Sequence, residues 1–160
     1  MNWKVLIVAS VVSFIAIVIM LFLAGNSNVL AKGKKVKNVY KAELASKMLS
    51  SYGKTKAKGH AEFIFSKDGK KLFYRLYVYN IDSVSMAHIH HGPFGKEGPI
   101  VVWLYKGKIT GKFNGLLSKG TITDKDTNLD SLRTWMNEGD TYVLVHTQKY
   151  PNGEIGGKIH

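Results

Sequence analysis

From Tyr40 to the end of the chain, apolar and polar residues alternate in short runs separated by turn-forming residues. This is the period of strands that bury one face. Tyr40–Ser46 reads as a first strand, and Gly59–Ser66 as a second with Ala61, Phe63 and Phe65 on one side. Asp68-Gly69 is a hairpin signal between that strand and Lys71–Tyr79, where Leu72, Tyr74, Leu76 and Val78 alternate with Phe73, Arg75, Tyr77 and Tyr79. Met86–His91, Pro99–Tyr105, Lys108–Phe113 and Leu116–Ile122 continue the series. One stretch has the helical period instead. Leu129, Leu132, Trp135 and Met136 fall on one helical face, with capping residues among Asp126–Asn128 before them and Gly139 after. Thr141–Thr147 and Glu154–Ile159 then pair around Tyr150-Pro151-Asn152-Gly153. Seven to nine short strands and one brief helix predict an all-β fold, a Greek-key sandwich or barrel.

The N-terminal pattern is different. Val5–Ala24 is apolar on every face and has no charge, proline or glycine. As a helix it spans about 30 Å, the thickness of a hydrocarbon core. Length favours a retained single-pass anchor over a secretory signal, whose apolar core is usually shorter. The rival is a cleaved signal processed near Val29-Leu30-Ala31, which would leave the domain secreted. The predicted organisation is a short flank (residues 1–4), a transmembrane anchor (5–24), a basic linker (25–37) and one domain (38–160).

Charge sharpens this organisation. The net charge of +12 is concentrated after the anchor: residues 32–58 hold nine lysines against the single acid Glu43. Residues 59–160 hold thirteen basic and ten acidic residues, so the domain lacks the basic stripe of a nucleic-acid binder. A basic stalk suits anionic head groups, so membrane lipid is the expected partner of this end. Counted alone, the lysines after the anchor place its C-terminal side in the cytoplasm. With no cysteine, the chain has neither disulfides nor thiolate chemistry.

The chemistry-bearing stretch is Ala87-His88-Ile89-His90-His91-Gly92-Pro93. On a strand, His88 and His90 share a face with Met86, and His91 takes the other. Two imidazoles at i and i+2 can share an ion if another strand supplies a third, and His146 in the apolar run Val143–Thr147 is the candidate. Three neutral imidazoles suit copper or zinc. The plainer alternative is that each histidine closes a hydrogen bond. Glu154, on the other arm of the predicted hairpin, is placed to orient the His146 ring across it. His91 would join the ligands only through a bulge, and His60 and His160 have weaker claims. No Ser-His-Asp spacing, carboxylate pair, P-loop or dinucleotide fingerprint is present, so no catalytic residue is assigned.

These residues also carry a resemblance. The block Ala87–Pro93, then Gly95, Gly98-Pro99 and Ile100–Leu104, then Tyr142–Thr147 and Tyr150–Gly157, resembles the CHRD (chordin-type) domain over about residues 38–160. Gly156 departs from it, since the family often has Arg there. The resemblance implies an extracytoplasmic β-sandwich and no reaction. Against the lysine count, it puts the domain outside the cell, as a non-enzymatic module facing a surface protein or envelope polymer. A weaker likeness links the His-x-His strand and the late Val-His strand to copper/zinc superoxide dismutases. Carried over, His88, His90 and His146 would hold copper. The cysteine pair, the zinc loop and a guiding arginine are missing.

Overall fold

The computed structural model describes residues 37–46 and 55–160. They form eight strands and one helix: β1 (Val39–Ala45), β2 (Lys58–Phe65), β3 (Leu72–Asp82), β4 (Val84–His91), β5 (Ile100–Lys106), β6 (Lys112–Ile122), α1 (Leu129–Glu138), β7 (Thr141–Thr147) and β8 (Ile155–Lys158). The anchor expected at Val5–Ala24 and most of the linker lie outside the described residues. Among the described residues no helix is long and apolar enough to cross a membrane.

All strands pair antiparallel in one sheet of order β5-β4-β7-β8-β1-β2-β3-β6. The sheet curls until its edge strands β5 and β6 face each other, so it is a nearly closed barrel. No ladder joins those edges. Tyr74 Oη and Ser118 Oγ both donate to the Leu104 carbonyl, at 2.8 and 2.7 Å, and stitch the seam. Alternate residues fill the interior: Tyr40, Ala42 and Leu44 from β1, Ala61, Phe63 and Phe65 from β2, Ala87 and Ile89 from β4, Val143 and Val145 from β7.

One expectation is corrected. Lys108–Phe113 and Leu116–Ile122 are not two strands. Lys108–Gly111 is a loop, and a single strand runs from Lys112 to Ile122. The alternation breaks because Leu117 bulges out of register with β3 and Gly115 takes φ +126°, a region that favours glycine.

The helix forms where its period predicts. The Asn128 side chain accepts from the Ser131 N–H, and Gly139 ends the helix in the left-handed conformation. Leu129, Leu132 and Met136 join the core. Tyr40 Oη donates to Asn137 Oδ1 at 2.8 Å and the Arg133 guanidinium lies 4.0 Å over the Phe65 ring. The helix is thus seated where β1 begins and β2 ends, and Gly139 leads straight into β7.

Candidate metal centre

Because Ala87 and Ile89 point into the barrel, His88 and His90 point out of it. The same holds on β7, where Val143 and Val145 point in and Leu144 and His146 point out. In register, His88 faces Leu144 and His146 faces Met86, which sets His146 diagonally beside His88. Outward side chains are normally wet, yet these are 1, 7 and 7% exposed for His88, His90 and His146. Two connections lie against His90 and His146, the 92–99 segment after β4 and the 148–154 turn after β7, and Trp103 of β5 lies against His88. Phe94 packs on Tyr142 and Leu144 as a small second core outside the barrel wall.

Those connections also fix the rings. His90 Nδ1 is 2.8 Å from the Gly98 carbonyl, and His146 Nδ1 is 2.8 Å from the Pro151 carbonyl. A carbonyl only accepts, so each Nδ1 carries the proton and each Nε2 keeps its lone pair. The two Nε2 atoms and both nitrogens of His88 are buried with no hydrogen-bond partner among the described residues. Each ring offers one nitrogen to a set lying within 4.8 Å of one another. A trigonal ion with bonds of about 2.1 Å needs them about 3.6 Å apart.

Burial keeps two of the rings, His88 and His146, neutral. Burial, then the neighbouring His146 and His90, pushes the His88 pKa down to about 4. Burial also lowers that of His146, against the Pro151 carbonyl, which favours its protonated form. Near neutral pH the lone pairs of His88 and His146 are therefore free for a Lewis acid. Aromatic rings wall the cluster. Tyr142 stacks on His90 with centroids 5.0 Å apart, and Trp103 meets His88 edge-on at 4.2 Å. Trp103 is the direct cross-strand partner of His88, with register shifts in the β4–β5 ladder on either side of that pair. Bulges of this kind re-aim side chains.

The family model of the CHRD domain matches residues 40–159. The chain belongs to the CHRD domain family. No curated protein and no solved structure matches it significantly. Within this CHRD domain, β4 and β7 bring His88, His90 and His146 together, and the other titratable candidates lie apart. His91 contacts Asp140 at 3.1 Å and stacks on Trp135 at 4.0 Å. The group on His146 Nδ1 is the Pro151 carbonyl and not the Glu154 carboxylate, which accepts from Thr147 Oγ1 at 2.9 Å. His60 stacks on Tyr77, and His160 is exposed. At Gly156 a Cβ would lie 3.0 Å from the Val143 carbonyl oxygen and 3.2 Å from the Phe94 ring, so in this CHRD domain Phe94 crowds the place of a larger residue.

Sequence reasoning misses Gly98, Pro151 and Trp103. The first two act through backbone carbonyls, which have no side-chain signature. Trp103 sits in an apolar run whose faces are exchanged by bulges.

Proposed function

We propose that this CHRD domain is a metal-binding module that holds one copper or zinc ion on the Nε2 atoms of His90 and His146 and a ring nitrogen of His88. The observation that carries this is the set of buried, unpartnered nitrogens. Each such group costs about 1–3 kcal/mol when left without a partner. A bound ion removes that cost, and the carbonyl contacts at Nδ1 hold two rings in the ligating tautomer. The role proposed is holding the ion; among the described residues no carboxylate joins the three rings.

The domain works outside the cytoplasm, tethered to the membrane by Val5–Ala24. The apolar length of that segment and the family support this reading. The test is metal analysis of the purified full-length chain beside His88→Ala and His146→Ala. One equivalent of metal in the parent and none in the variants is expected, and equal content in all three would end the proposal. Proteolysis of the domain on intact cells tests its side of the membrane, with complete protection as the outcome that overturns it.

A second reading, a surface module for a protein or envelope polymer, draws on the opposite wall. Val39, Ile64 and Phe73 are direct partners across β1, β2 and β3, and each is close to half exposed. A photo-crosslinker at Phe73 should capture such a partner on cells. Labelling no greater than from a crosslinker at Lys125 would remove this reading.

A further inference from the structure

We propose that the centre is built for monovalent copper, with the thioether of Met86 as its fourth donor. The proposal rests on the metal-site reading above and commits it to one ion. The first argument is charge. The three donors are imidazoles, which ligate in their neutral form, and among the described residues no carboxylate belongs to the cluster. Glu154, the buried acid on the neighbouring turn, is held by Thr147. The cost of burying an ion grows with the square of its charge, so a dication without a counter-charge costs about four times as much as a monocation.

The second argument is register. Met86, His88 and His90 occupy alternate positions of β4, and Met86 is the direct partner of His146 across the β4–β7 ladder. Side chains so paired have Cβ atoms about 4.5–5.5 Å apart. Met86 is half-buried, and its unbranched side chain can swing its sulfur onto an ion held by the three rings. Thioether sulfur selects copper(I) over zinc, which takes harder ligands or water.

The third argument is the cover. Trp103 lies against His88 and is itself half-exposed, so indole stands on the solvent side of the ring. Zinc bound by three histidines commonly completes four-coordination with water. A position bounded by indole and thioether resists water and accepts a soft ion of low coordination number.

The test uses the full-length chain in detergent, stripped of metal. It is titrated with zinc(II) and, anaerobically, with copper(I) in competition with a chromogenic copper(I) chelator. Copper(I) should bind one-to-one, about 100-fold or more tighter than zinc(II), and quench indole emission, a quench that Trp103→Phe should largely remove. Met86→Leu, nearly equal in volume, should weaken copper(I) about tenfold or more and leave zinc(II) within about twofold. X-ray absorption of the copper-loaded parent should show a sulfur neighbour. Zinc(II) binding as tightly as copper(I), or a copper shell of nitrogen alone, would overturn the inference and leave the metal-site reading standing. Binding of neither metal would remove both.

Discussion

The carbonyl oxygen of Gly98 lies 2.8 Å from Nδ1 of His90, and this contact decides which nitrogen of the ring is free. Gly98 cannot be replaced without moving that carbonyl, because a Cβ there would collide with the His91 carbonyl oxygen. Gly98→Ala should therefore disturb the site while sparing the barrel, whose ladders it does not join. Metal affinity should fall about tenfold, the equivalent of 1.4 kcal/mol. Nitrogen-15 spectra of the imidazoles should show His90 losing its pure Nδ1–H form. An unchanged tautomer and affinity would mean that the 92–99 segment does not orient the ring.

His88 opposes stability to function. Both its nitrogens are buried and without partners. Replacing it by leucine removes a polar group from an apolar, aromatic setting. His88→Leu should stabilise the metal-free chain by about 1 kcal/mol, read from denaturant unfolding, and should abolish metal binding. In the parent, metal at 100 times its Kd should add about 2.7 kcal/mol, and the variant should gain nothing. A variant less stable than the metal-free parent would show that the imidazole has a structural partner.

Much of the fold is legible in the sequence because one face of each strand is buried. Tyr40, Ala42 and Leu44, or Ala61, Phe63 and Phe65, repeat with the period of two that the core imposes. The helix is legible through its caps at Asn128 and Gly139. Legibility stops where the backbone leaves the regular pleat, as at Leu117 and Gly115, which split one strand into two apparent ones. At the candidate centre, the spacing of His88 and His90 and the apolar setting of His146 bring the three together. What covers them does not follow from the same pattern. Alternation alone predicts wet histidines on the outside of the barrel; the tertiary paths of the 92–99 and 148–154 connections at His90 and His146, and Trp103 at His88, bury them.

Acid should destabilise the metal-free domain through these rings. An unfolded histidine takes its proton near pH 6.5, whereas folded His88 resists protonation down to about 4. Between those values the unfolded state binds more protons than the native state, so stability rises with pH through the window. Stability should be full above about pH 6.5, fall as the pH drops towards 4, and then level off for this group. The loss is on the order of 3 kcal/mol for His88. His146, also shifted down, adds to it in the same direction. Thermal melts of metal-stripped chain between pH 7.5 and 4 measure this slope. His88→Leu should flatten it, leaving the part due to His146. A slope equal to that of the parent would place the acid sensitivity elsewhere.

The seam between β5 and β6 makes a separate prediction about how the barrel stays closed. The Leu104 carbonyl receives Tyr74 Oη and Ser118 Oγ, and those two oxygens lie 3.2 Å from each other. The three groups form one network across edges that no backbone ladder joins. Tyr74→Phe or Ser118→Ala alone leaves the carbonyl one donor, so each should cost about 0.5–1.5 kcal/mol. The double variant strips the carbonyl of both donors and exposes the edges to each other without a tie. Its cost should exceed the two single costs together by about 0.5 kcal/mol or more, as for coupled groups. Hydrogen exchange of β5 and β6 amides should accelerate first, ahead of β1 and β2, because the barrel would open at its only unladdered boundary. Strict additivity, with exchange rising evenly over all eight strands, would show that the seam is held by side-chain packing and not by this network.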